Sequence, residues 1–192
     1  MKSNIIKSLV YIPIMFFLWY VLSPLISVLV SFVISYPLKY FTANLIHQIN
    51  PAGLEIQGII RLAGGTYGDL TVPAGRFADM MLTARPMVYG YGIPLFATLL
   101  IAFSKNKATF LKTTLCFLLL FVSVCFGTTM EFLKIVFLSL DSSITQDLVT
   151  SQWQLESIAL GYQVGTLILP AVLPISLWLV LNESYFFEKN DT

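Results

Sequence analysis

Two ionisable side chains fall inside a long apolar run, and any chemistry would begin there. Glu131 and Lys134 lie in the stretch 113–140, TTLCFLLLFVSVCFGTTMEFLKIVFLSL. At i and i+3 on a helix they share a face and can touch. A carboxylate beside an ammonium can exchange a proton with a substrate, hold a partner's charge, or neutralise itself where water is scarce. Depth bears on the choice. Counted from Thr113, Glu131 lies roughly 27 Å along a helix, near the far edge of a hydrocarbon core about 30 Å thick. The two residues are therefore either an interfacial ion pair whose lysine reaches up to water, or a pair turned toward a neighbouring helix or a partner protein.

The other reactive residue types are sparse. Cys116 and Cys125 stand nine positions apart on the same run. At about 100° per residue they point to opposite faces, so they cannot bridge each other, and they read as small apolar membrane residues. His47 is the single histidine; as a catalyst it would need a nucleophile or carboxylate beside it, and the sequence places neither there. No Cys/His cluster suits zinc. Gly64-Gly65-Thr66-Tyr67-Gly68 lacks the following Lys-Ser/Thr of a phosphate loop, and there is no H-E-x-x-H or G-x-S-x-G. We expect no catalytic set, no metal and no cofactor. What remains are candidates for helix packing or partner contact: Gly90 and Gly92 in Tyr89-Gly90-Tyr91-Gly92, and the G-x-x-x-G of Gly161 and Gly165 with Gln163 between them.

The elements that position these residues belong to a membrane. Of 192 residues, 57% are hydrophobic and only 11% charged, against about 25% charged in a soluble domain; mean hydropathy is +0.81. Net charge is +1, which gives no electrostatic case for nucleic acid. The expectation is a single all-α integral membrane domain with four transmembrane helices, at 9–34, 87–103, 113–140 and 158–181, and a small extracytoplasmic β-hairpin segment. The first span resembles a signal peptide, but its apolar run is too long and no small-x-small cleavage site follows. Pro24 should kink it, and Trp19 and Tyr20 should pack on other helices.

The insertion 36–86 separates the first two spans. Its first part, 36–50, carries Leu38, Phe41, Leu45 and Ile49 near helical spacing and suits an amphipathic helix in the interface, with His47 on it. Next, Leu54 to Leu62 alternates imperfectly and is rich in β formers. Gly64, Gly65, Gly68 and Pro73 mark turns, and Arg76 to Arg85 can return as the second strand. An isolated hairpin is marginal, so it should lean on the bilayer, the amphipathic segment or a partner. In the loop 141–156, Thr150 or Ser151 could cap a short helix that carries Trp153 at the membrane surface. The aromatics Tyr185, Phe186 and Phe187 should anchor the tail.

Orientation follows from lysines. Lys105, Lys107 and Lys112 crowd the short 104–112 loop, and Lys2, Lys7 and Lys189 fall on the same side. That side is assigned to the cytoplasm, with both termini. The insertion and the Trp153 loop then share the outer face, and Glu131 and Lys134 lie toward it.

Cys125-Phe126-Gly127 is similar to the C-x-G around the nucleophile of exosortases. Those enzymes follow it with an arginine and a histidine; here neither type occurs after Cys125, and mid-span Cys125 has no base to form a thiolate. A different resemblance covers most of the chain. The stretch Pro86-Met87-Val88-Tyr89-Gly90-Tyr91-Gly92-Ile93-Pro94-Leu95-Phe96 resembles a signature of the exosortase H-associated membrane proteins. So does Trp153-Gln154-Leu155-Glu156-Ser157-Ile158-Ala159-Leu160-Gly161-Tyr162-Gln163-Val164-Gly165 with Leu167-Ile168-Leu169-Pro170, and Leu18-Trp19-Tyr20 with Ser23-Pro24. The resemblance implies a bacterial inner-membrane protein, surrounded by membrane lipid, acting beside an exosortase, the enzyme that processes C-terminal sorting signals of exported proteins. It implies no catalytic residues.

Three functions compete. The first is a non-catalytic accessory protein that binds an exosortase or a sorting-signal protein. The second is a membrane enzyme with an unrecognised site around Glu131 and Lys134. The third is a small transporter, for which four spans with one charged pair and no internal repeat are thin material.

Overall fold

A computed structural model describes residues 2–67, 70–103, 110–141, 143–145, 148 and 151–182. Lys105, Lys107, Lys189, Thr150 and the aromatics of the tail lie outside the described residues.

The chain begins with one helix, α1, Lys2–Phe41, at about 1.5 Å per residue some 60 Å long. It is longer than the expected first span, and Pro13, Pro24 and Pro37 all lie inside it. The amphipathic helix expected over 36–50 does not form as a separate element. Residues up to Phe41 continue α1, and the chain then turns sharply. Ala43 and Asn44 take positive φ values of 47° and 63°, and the Asn44 N–H closes back on the Lys39 carbonyl at 2.9 Å. A left-handed pair of this kind ends a helix. From Ile46 the backbone is extended, because pairing with an isoleucine-rich neighbour outweighs the helical spacing of Leu38, Phe41, Leu45 and Ile49.

That neighbour completes a three-stranded antiparallel sheet in the order β1 (Ile46–Ala52), β2 (Glu55–Leu62), β5 (Ala78–Ala84). The β1–β2 connection is a two-residue turn whose first residue, Gly53, has φ of 64°, as a tight hairpin requires. β2 alternates cleanly: Ile56, Ile60 and Leu62 are buried while Arg61 is exposed. Opposite them, Ile56 pairs with Ala84 and Ile60 with Met80. A small ribbon, β3 (Gly65–Tyr67) with β4 (Leu70–Val72), lies between β2 and β5. The returning strand expected over 76–85 is thus present.

Two short helices follow, α2 (Pro86–Tyr89) and α3 (Gly92–Phe103), broken at Gly90 and Tyr91. Next come α4 (Phe110–Lys134), which widens into a π-helical turn over Ile135–Ser139, and α5 (Gln152–Gln163), which passes through a second π turn, Val164–Ile168, into α6 (Leu169–Leu181). Pro170 has no N–H for the Thr166 carbonyl and crowds it, which accounts for the wider turn just before it. Ser151 starts α5, its N–H bonded to the Gln154 carboxamide oxygen at 2.9 Å.

Among the described residues, three helices are long and apolar enough to cross a bilayer: Lys7–Phe41, Phe110–Ser139 and Gln152–Leu181. The protein is a mostly helical membrane protein with a small antiparallel sheet. α3 is apolar but shorter, about 18 Å at 1.5 Å per residue, and packs between α1 and α6. The main core joins helices to sheet: Val30, Ile34 and Leu38 of α1, Phe132 and Leu133 of α4, and Ile46, Ile56 and Ile60 of the sheet are buried together.

Candidate functional site

Glu131 occupies the joint between the helical bundle and the sheet. Phe132, beside it, is fully buried against β2; a Cβ at Gly58 would lie 3.0 Å from the Phe132 ring, so the absent side chain at Gly58 lets the strand sit close against this ring. On the other side of the joint, β5 ends at Ala84 and Pro86 opens α2. A residue before proline is held extended, and Arg85 has φ −115° and ψ 95°. Beyond the last strand pairing, its N–H donates to Oε2 of Glu131 at 3.2 Å. The Arg85 guanidinium turns back to the sheet and donates to Oε1 of Glu55 at 2.7 Å. One residue thus ties the head of β2 to the end of α4.

The Tyr89 phenol points at the same carboxylate and at the Thr166 hydroxyl. Tyr89 is 2% exposed. The Thr166 hydroxyl also donates to the Tyr162 carbonyl at 2.7 Å. Lys134 does not close on Glu131 as an ion pair: the ion pairs among the described residues are Arg61–Asp79 and Arg85–Glu55. Its ammonium stands 4.0 Å from the centroid of the Tyr162 ring, a cation–π contact. The i, i+3 spacing brings the two charges to one region, but each has taken a different partner.

The expected packing glycines meet other parts of the same chain. A Cβ at Gly90 would fall into the Trp19 ring, and one at Gly92 would come 2.8 Å from the Pro170 carbonyl. One at Gly165 would lie 2.9 Å from Cα of Gly127, and one at Gly161 would lie 2.8 Å from the Met130 sulfur. Gly127, read in the sequence only as part of a C-x-G, presses directly on the Tyr89 ring. Trp19 is buried in the bundle, whereas Tyr20 faces outward. Gln163 is exposed.

Sequence reasoning missed Tyr89, Arg85 and Thr166. Tyr89 reads as an interfacial belt residue; its buried place depends on Gly127, which lies on another helix. Arg85 carried a signal in the proline that follows it, which fixes an extended backbone and frees an N–H.

Chemically, the site holds one carboxylate with a backbone donor, a phenol and a nearby cation. It offers no nucleophile with an adjacent base. Cys116 and Cys125 are buried and unbridged, His47 is exposed at the bulge in β1, and the described residues contain no cluster of metal-ligating side chains. An apolar cleft of about 440 Å³, lined by Phe41, Met130, Leu133, Phe137, Trp153 and Ile158, lies beside the joint.

No curated protein matches the chain, and no solved structure does. Residues 1–185 match the model of the exosortase H-associated membrane proteins, and the chain belongs to that family.

Proposed function

We propose that this protein is a non-catalytic accessory subunit that docks exosortase H in the bacterial inner membrane and helps it act on exported proteins with C-terminal sorting signals. One observation carries the reading: the Glu131 carboxylate, at the sheet end of α4, is engaged by Arg85 and Tyr89 in holding the sheet onto the helices. A group committed in this way supports a scaffold rather than a reaction centre. The surface left over is the outer side of the sheet, with Arg61, Asp79, Met81 and Thr83 exposed. At one edge, β1 is blunted by Pro51 and a bulge near His47; at the other, β5 has neither. Proteins that must stay unpaired protect such an edge.

In this reading α2 and α3 together form a broken fourth span, both termini are cytoplasmic, and the sheet stands on the outer face. Broken helices are tolerated at membrane depth where protein encloses the break, and Gly90 and Tyr89 at this break are buried.

The test is co-purification from a mild detergent with exosortase H co-expressed. Recovery of exosortase H with the tagged protein is the expected result. Recovery of neither exosortase H nor a protein bearing a sorting signal would overturn the reading.

A further inference from the structure

The height of β5 above the membrane can be worked out from its two ends. Its foot is the Ala84 rung: Ala84 pairs with Ile56, and the next N–H, that of Arg85, donates to Glu131, near the edge of the hydrocarbon core. Its upper rungs follow from α1. Val30 shares the buried core with Phe132, the neighbour of Glu131, and from Val30 the helix rises roughly 16 Å further to Phe41. The chain turns there and enters β1 at Ile46, which pairs with Ile60 and through it with Met80. From Met80 to Ala84 a strand covers roughly 14 Å at about 3.4 Å per residue, close to the height that α1 gains. β5 therefore stands upright and descends from Ala78 to the membrane surface at Ala84.

The outer edge of β5 is open. Among the described residues it is the last strand of its sheet. An open edge presents a row of main-chain N–H and C=O groups. Lipid tails satisfy none of them, whereas an added extended strand pairs the whole row at once. The side chains beside the edge do not obstruct this: Asp79, Met81 and Thr83 point to the outer side of the sheet, and Asp79 is already paired with Arg61. A second copy of this chain fits the edge poorly. Two copies in one bilayer stand the same way up, so their β5 edges meet only as parallel strands, the less stable pairing. A segment that adjoins a membrane span of another protein is held at the right height before any contact forms.

We propose that β5 takes up a fourth strand from exosortase H: an extended segment of that enzyme that rises from the membrane beside Ala84 and runs antiparallel to β5. The inference rests on the accessory reading above and names the contact through which the two proteins hold each other. The partner is the one that the family's description associates with this chain; a second copy and an exported protein are the competing occupants.

The experiment uses the full chain with exosortase H co-expressed. Met81→Lys together with Thr83→Lys places lysines along the edge, the device by which natural sheets refuse a further strand. Both side chains are exposed, so the fold is kept, and membrane level reports this. The double variant lowers recovery of exosortase H about tenfold. Met81→Thr, a β-forming replacement, leaves recovery unchanged, because the contact is made by the main chain. In the purified wild-type complex every second amide of β5 exchanges more slowly, by on the order of tenfold, since alternate N–H groups face the edge. A photo-reactive residue at Met81 yields an adduct with exosortase H. If the wild type recovers exosortase H but the double variant recovers it equally, or the β5 amides are unchanged in the complex, the inference is wrong and the accessory reading stands. Adducts only between two copies of this chain, or only with an exported protein, also overturn it. If the wild type itself recovers no exosortase H, the accessory reading fails and this inference fails with it.

Discussion

Replacing Gly127 with alanine adds one methyl group where α4 meets the Tyr89 ring. The new Cβ would stand 2.7 Å from Cγ and 2.9 Å from Cβ of Tyr89. Carbon atoms rest at about 3.5–4.0 Å, so roughly 1 Å of overlap must be relieved. Tyr89 is 2% exposed and ends a helix of four residues opened by a proline, so its ring has nowhere to swing. The backbones must separate instead, and overpacking of this kind costs about 1–3 kcal/mol. Alanine's better helix propensity returns up to about 1 kcal/mol, leaving a net loss of roughly 1–2 kcal/mol. Gly161→Ala supplies the comparison. The three atoms nearest its Cβ would all belong to the Met130 side chain, the sulfur at 2.8 Å, and a flexible methionine moves aside at little cost. That variant is neutral or gains up to about 1 kcal/mol. Unfolding by denaturing-detergent titration in micelles measures both. Equal stability of the two variants, or a more stable Gly127→Ala, would refute the claim that Tyr89 is locked between α2 and α4.

Three further outcomes follow from the joint and the loop. Glu131→Ala removes the acceptor of the Arg85 N–H and the carboxylate partner of the buried Tyr89 phenol, and costs roughly 1–3 kcal/mol, whereas Glu131→Gln keeps an oxygen there; amide exchange at Arg85 should quicken in the first and not in the second. Arg85→Gln breaks an ion pair whose side chains are 69% and 31% exposed, so it costs at most about 1 kcal/mol, and 1 M salt should erase most of the difference from wild type. Asp141 accepts from the Ser143 N–H at 2.8 Å and its hydroxyl at 2.6 Å, and these bonds hold its carboxyl below the usual carboxylate range. A depressed folded value means that its contribution is present above the unfolded value and is lost as pH falls through the folded one. Ser143→Ala should move the Asp141 titration upward in an NMR pH series, and an unmoved midpoint would contradict the assignment.

The membrane class was legible because apolar length is a local property: long runs ending at Phe41, Ser139 and Leu181 need no tertiary information. The strand pair of β2 and β5 was legible for the same reason, from residue types and turn markers. The first part of the insertion was not. Leu38, Phe41, Leu45 and Ile49 recur at a spacing that suits a helix, yet Ile46 pairs with Ile60, a contact fixed by distant partners. The joint was half legible. Glu131 and Lys134 announced themselves as charges in an apolar run, but their i, i+3 spacing suggested each other as partners. The partners they have, Arg85, Tyr89 and Tyr162, come from two other stretches of chain. Gly127 and Tyr89 explain each other only once two helices are side by side.

The central claim is that Glu131 holds the molecule together and performs no reaction. Its direct measure is exosortase H-dependent processing in cells carrying Glu131→Gln, expressed per unit of folded protein. The account predicts that processing tracks the amount of folded protein, as for the wild type. Normal amounts of folded Glu131→Gln with processing abolished would contradict it and move the carboxylate into the chemistry.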